Sequence, residues 1–141
     1  MERRKFIKDT CQLCMAASFI AILNKGCIPA EGVFSSTVEN NKMMIPLTEL
    51  SGKNYLLARS KQLAFDIFIH KNKNDNYTAV LMKCSHRDAP VHYTTGGLVC
   101  HEHGSRFDFE GAVTKEPAET PLTKFPVTLN TTHLIINLKN G

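Results

Sequence analysis

From Met43 onward the chain alternates short apolar runs with polar breaks. Ile45-Pro46-Leu47, Asn54-Tyr55-Leu56-Leu57-Ala58, Ala64-Phe65-Asp66-Ile67-Phe68-Ile69 and Tyr77-Thr78-Ala79-Val80-Leu81-Met82 carry the β-branched and aromatic residues that suit a pleated, half-buried surface. Turn residues bound each run, among them Ser51-Gly52 and the polar loop 71–76. A last pair closes the chain: Phe125-Pro126-Val127-Thr128-Leu129, a turn at Asn130-Thr131-Thr132, then Leu134-Ile135-Ile136-Asn137-Leu138. Residues 84–122 break the pattern, being rich in Gly, Pro, His and Cys and poor in long apolar runs. The pattern contains no repeat and predicts no helix of useful length after the N-terminal segment. It predicts an all-β, antiparallel domain over 43–141 with a metal-binding insertion.

The start of the chain is of another kind. A charged stretch, Met1-Glu2-Arg3-Arg4-Lys5-Phe6-Ile7-Lys8, precedes a thirteen-residue, mainly apolar run at 11–23. Thirteen is a signal-segment length, short of the roughly 20 residues that span a bilayer. Residues 1–27 are expected to be a signal peptide or membrane anchor, and 28–42, mixing Pro, Gly, Ser, Glu and Asn without apolar periodicity, a tether. Arg3-Arg4-Lys5-Phe6-Ile7-Lys8 resembles the twin-arginine export motif, with Glu2 where that motif has Ser or Thr; the competing reading is a basic amphipathic helix. Cys27 after Gly26 is the candidate for acylation, although Asn24 and Lys25 depart from the usual lipobox. Lipid there would leave Cys84 and Cys100 as the only free thiols outside the apolar segment, where Cys11 and Cys14 read as filler.

Charge follows this division. The formal +4 is mostly local: Arg3, Arg4, Lys5, Lys8 and Lys25 against Glu2 and Asp9 place +3 in residues 1–27 and +1 in the remainder. A nearly neutral domain with no basic patch argues against nucleic acid as a partner. Hydrophobic content of 43% and charged content of 21% are those of a globular chain.

The candidate chemistry lies in the irregular middle. Cys84-Ser85-His86 and Cys100-His101-Glu102-His103 place two thiols and two imidazoles in two short clips. Between them Thr95-Gly96-Gly97 signals a hairpin turn, which would set the clips side by side. Mixed sulfur and nitrogen ligation suits zinc or a histidine-ligated iron–sulfur cluster. A structural Cys2His2 zinc module is the main competitor, yet zinc clips space paired ligands by two to four residues, and only Ser85 separates Cys84 from His86. Gly104 would permit a tight backbone approach to the metal. His101 reads as exposed or outside the ligand set, and His70, His92 and His133 as solvated or core-edge histidines.

The run Cys84-x-His86, Cys100-x-x-His103-Gly104-Ser105-x-Phe107-Asp108-x-x-Gly111, Pro117-Ala118-x-x-Pro121-Leu122 is similar to Rieske iron–sulfur proteins. The resemblance runs in strand order over about 43–140 and is specific over 84–127. It implies a β-sandwich with an inserted cluster-binding part at about 84–122. It also implies one [2Fe–2S] cluster, one iron on Cys84 and Cys100 and the other on His86 and His103. Pro117 and Pro121 would lie in a loop covering the cluster, and Ser105 would donate to a bridging sulfide. Three departures concern tuning. Ala89 and Glu102 stand where high-potential members carry a disulfide, Phe107 where a tyrosine hydroxyl would donate, and Asp88 where the family has glycine.

The resemblance implies one-electron transfer. Two neutral imidazoles in place of two thiolates make the cluster less negative, which puts such centres at about −150 to +300 mV rather than near −400 mV. The missing disulfide and hydroxyl imply a potential below that of quinol-oxidising members. No nucleophile–base pair or substrate-pocket motif is present, so no reaction of its own is expected. The expected setting is the redox subunit of an exported, membrane-associated or periplasmic oxidoreductase or respiratory complex. Its partners there would be a cytochrome, or a quinol-oxidising or periplasmic oxidase subunit. The alternative is a ferredoxin component of an oxygenase system, against which the Arg3-Arg4 signal argues.

Overall fold

The computed structural model describes residues 32–140. The export motif, the apolar segment and Cys27 lie outside the described residues. Residues 33–46 form β1 (Val33–Ser35), β2 (Val38–Glu39) and β3 (Lys42–Pro46), followed by the single-turn α1 (Leu47–Leu50). Then come β4 (Tyr55–Arg59), β5 (Ile67–Lys71) and β6 (Tyr77–Leu81). The middle of the chain holds β7 (Val91–Thr94), β8 (Gly97–Cys100), β9 (Arg106–Phe107) and β10 (Val113–Lys115). Last are β11 (Lys124–Phe125), β12 (Val127–Leu129) and β13 (His133–Asn137).

Three sheets result. A central one has the order β1-β4-β5-β6-β11, a second β12-β13-β3-β2, and a third β10-β9-β8-β7. All pairings are antiparallel except β1 with β4. The third sheet is an insertion: the chain leaves the central sheet after β6 and returns as β11 beside that same strand, with Lys124 opposite Val80 and Phe125 opposite Ala79.

Alternation along the strands sorts side chains between two cores. Met43 and Ile45, Leu56 and Ala58, Leu134 and Ile136 occupy every second position and are all buried in one core with Ile67, Ile69 and Ala79. Phe68 and Val80 point the opposite way, into a second core with Leu98, Phe107, Cys84 and Cys100. β5 is therefore covered on both faces, so Ile67-Phe68-Ile69 is a continuous apolar run instead of an alternating one.

The tether expected over 28–42 is corrected by the structure from Val33 onward. Asn40 and Asn41, both left-handed at φ 51° and 58°, make a two-residue hairpin turn that pairs β2 with β3. Phe34 and Val38 pack on the first core. Polar composition concealed two anchors and a turn signal.

Candidate metal centre

The β7–β8 hairpin positions the site. Thr95 and Gly96 form its turn, and Val91 pairs with Cys100 at its other end. Gly97, at φ 134°, has no alternative residue: a Cβ there would meet the Phe107 carbonyl oxygen at 2.6 Å. A bridge between Lys83 and Pro90 closes the neck of the first clip. Both clips thus emerge side by side from one end of the hairpin.

They close in the same way. In the first, the Cys84 N–H donates to the Ala89 carbonyl at 2.7 Å and the Asp88 N–H to the Cys84 carbonyl at 2.9 Å. In the second, the Cys100 N–H donates to the Ser105 carbonyl at 2.9 Å and the Gly104 N–H to the Cys100 carbonyl at 3.1 Å. Each loop joins its cysteine to residues four and five further on. Each has a left-handed residue at the fourth position, Asp88 at φ 51° and Gly104 at φ 81°. Such a turn needs that conformation, which costs an ordinary residue about 1–2 kcal/mol and glycine nothing. No protein atom lies within 4 Å of the Cβ site of Gly104, so among protein groups its requirement is conformational.

The loops sort the four donors into pairs. Cys84 and Cys100 are both buried, and the Cys84 thiol lies within hydrogen-bonding reach of Cys100. Burial pushes the Cys100 thiol pKa up, while the backbone N–H groups of Glu102 and His103, bonded to its sulfur, pull it down. His86 and His103 form the other pair, their rings edge to face with centroids 5.0 Å apart. Nδ1 of His86 is buried with no hydrogen-bond partner among the described residues, the state of a nitrogen that a metal would satisfy.

The separation has a simple test. An imidazole centroid lies about 3.2 Å from a metal bound at about 2.0–2.1 Å, so two rings on one ion stand about 4.5 Å apart at a right angle and about 5.2 Å at the tetrahedral angle. The His86–His103 spacing falls between those limits. Among the described residues no three Cys, His, Asp or Glu side chains converge on one ion. A mononuclear Cys2His2 zinc site needs four donors on one centre. Two thiols and two imidazoles, each pair brought together, are a donor set that fits a binuclear cluster.

A third loop, 116–122, is latched to both clips. The buried Ser105 hydroxyl accepts from the Ala118 N–H at 3.0 Å, and the exposed Ser85 hydroxyl donates to the Thr120 carbonyl at 2.5 Å. Pro117 is half-buried in this loop and Pro121 exposed, while Ala118 and Leu122 pack in the core that holds both cysteines. The Ser105 proton has no acceptor among the described residues, which leaves it for a group held between the clips. Phe107 is buried in the same core and brings no hydroxyl. Ala89 is buried and Glu102 exposed, so neither position supplies a thiol.

The remaining histidines fall elsewhere. His101 is exposed and faces His92 instead of joining the His86–His103 pair. His133 Nδ1 lies 2.8 Å from the Thr132 hydroxyl. His70 packs on Phe68 and Phe109 beside a stack of Tyr55 and Tyr93, and burial, partly opposed by Glu110 and Asp108, lowers its pKa. Sequence reading missed both the equivalence of the clips and the His92–His101 contact. The first was legible in the common interval of four residues from Cys84 to Asp88 and from Cys100 to Gly104; the second depends on strand register.

No curated protein matches the chain. Among solved structures, the cyanobacterial plasma-membrane Rieske protein PetC3 from Synechocystis PCC 6803 superimposes with a TM-score of 0.54 at 22% identity, over 64% of this chain and 93% of its own. Apo dicamba monooxygenase gives 0.49 at 24% identity over 73% of this chain, which spans about a third (34%) of that enzyme. The ferredoxin of carbazole 1,9a-dioxygenase from Nocardioides aromaticivorans IC177 gives 0.48 at 22% identity, over 68% of this chain and 95% of its own. The likeness to PetC3 shows the fold. The family model for the Rieske [2Fe-2S] domain matches residues 36–126, well over half the chain, and takes in both clips and the third loop. The chain therefore belongs to the Rieske [2Fe–2S] family, an electron-transfer domain built around one such cluster.

Proposed function

We propose that Cys84 and Cys100 hold one iron and His86 and His103 the other, and that the domain relays single electrons as the redox subunit of a membrane-associated or periplasmic oxidoreductase. The observation carrying the ligand assignment is the sorting of four donors into a buried thiol pair and an imidazole pair at ligand spacing. When bound, the cluster supplies a one-electron redox couple. The chain's own residues fix the Cys100 thiol by N–H bonds, offer the Ser105 hydroxyl proton from a buried position and cover one side with the 116–122 loop. Absorption and EPR spectra of the full chain test the assignment. Loss of the spectrum in His86→Ala and His103→Ala supports it, and a colourless protein carrying one zinc overturns it.

The potential lies below that of quinol-oxidising relatives, because Ala89 and Glu102 offer no disulfide and Phe107 no hydroxyl donor to a ligand sulfur. Voltammetry reading at the top of the range, near +300 mV, would count against this. Residues 1–27 form the signal or anchor and the domain follows from the β1 region. Arg3 and Arg4 support export by a twin-arginine route in the folded state. Cys27 is the site of lipid attachment. Retention in the cytoplasm of an Arg3→Lys, Arg4→Lys double variant tests the route, and radiolabelled palmitate in parent against Cys27→Ser tests the anchor.

A further inference from the structure

The surface beside the second clip carries a second pair of imidazoles. His92 lies on β7 opposite Val99, and His101 follows two residues after Val99, one beyond the end of β8. Side chains two apart on a strand share a face, so His92 and His101 are diagonal neighbours on the same side of the hairpin. Their ring centroids stand 5.0 Å apart with planes at 41°, and both residues are exposed. Neither ring has a hydrogen-bond partner among the described residues. This spacing equals that of the His86–His103 pair and falls in the same window, about 4.5 to 5.2 Å, that two imidazoles on one ion require.

We infer that His92 and His101 form a second metal site, which binds one divalent transition ion of the zinc or nickel type through two imidazoles and water. Borderline nitrogen donors select such ions over magnesium or calcium. Among the described residues no third protein donor joins the pair, which makes the site open and its occupancy reversible. The groove that His92 lines also holds Arg59 and Asp66, which neutralise one another through two hydrogen bonds at 2.9 and 2.8 Å, while the exposed Arg106, opposite Val99 on β9, is the cation on the same face as His92. His101 follows Cys100 directly, so the ion would sit one residue along the chain from that buried thiol, on the outer face of the hairpin. On the ligand assignment proposed above, its positive charge favours the reduced, more negative cluster and raises the potential.

The test uses the full chain with its cluster in detergent, titrated with zinc chloride alone and followed by calorimetry and voltammetry. His92→Gln and His101→Gln should each weaken one zinc site at least tenfold, with the double variant no weaker than either. Zinc bound by cysteines near the N-terminus is common to all variants and cancels in the comparison. The midpoint potential of the parent should shift upward and saturate together with binding, and that shift should vanish in His92→Gln. Equal zinc affinity in parent and His92→Gln overturns the site. Lost affinity without any potential shift in the parent overturns its coupling to the cluster. Failure of the ligand assignment is separate, because it shows as an absent cluster spectrum before zinc is added.

Discussion

The two clips share a frame and differ in how they are held. In 84–89 and 100–105 the same two backbone hydrogen bonds close the loop around a cysteine, and the same fourth position is left-handed. The first clip fills that position with Asp88 and ties itself to the third loop through an exposed hydroxyl, Ser85. The second uses Gly104 and a fully buried hydroxyl, Ser105. A loop of this type is thus specified by backbone closure, while the residues that stabilise it are free to differ. The histidine moves too, from the second residue after Cys84 to the third after Cys100, which lets two equivalent loops present an imidazole pair.

Replacing either cysteine should break both clips at once. Cys84→Ala and Cys100→Ala are each expected to abolish the cluster spectrum, since one iron would keep a single thiolate; a spectrum surviving in either would mean the clips are not equivalent. Next in size is the latch. Ser105→Ala strands the buried Ala118 N–H and should cost about 1–3 kcal/mol, whereas Ser85→Ala, at the surface, should cost at most about 0.5–1.5 kcal/mol. Denaturant titration of the two variants decides, and a larger loss from Ser85 would reverse the asymmetry.

The left-handed positions come third. Gly104→Ala should destabilise by about 1–2 kcal/mol with no steric contribution from the protein, because no protein atom lies within 4 Å of its Cβ site. Asp88→Gly should change stability by less than about 1 kcal/mol, relief of backbone strain being offset by extra freedom of the unfolded chain. A large loss from Asp88→Gly would show that the aspartate side chain, not the turn, closes the first clip. Smallest is the exposed pair of Lys83 and Asp88, 3.1 Å apart. Lys83→Ala should cost no more than about 1 kcal/mol, and less still in high salt.

Strand positions were legible wherever apolar residues alternated, as at Leu134 and Ile136, because one buried face imposes a period of two. Three local features were harder to read. Residues 64–66 were drawn into a strand that starts only at Ile67, since Phe65 and Ala64 line a surface groove beside the Arg59–Asp66 pair. Leu47, read as strand, begins a helical turn directly after Pro46, the last residue of β3 and the partner of His133. Asn40-Asn41 reads as tether by composition, although asparagine tolerates the left-handed conformation that a two-residue hairpin demands.

The sequence by itself determined the chemistry: two thiols and two imidazoles at short spacing, a hairpin turn between them and strands on either side. Those are local facts, carried by residue type and interval. Only the tertiary structure decided which donors stand together. It set Cys84 beside Cys100 and His86 beside His103, sixteen and seventeen positions apart in the chain, latched Ser105 to Ala118 from another loop, and brought His92 to His101. Such contacts follow from strand register, and a one-residue slip would turn every side chain of a strand to the other face.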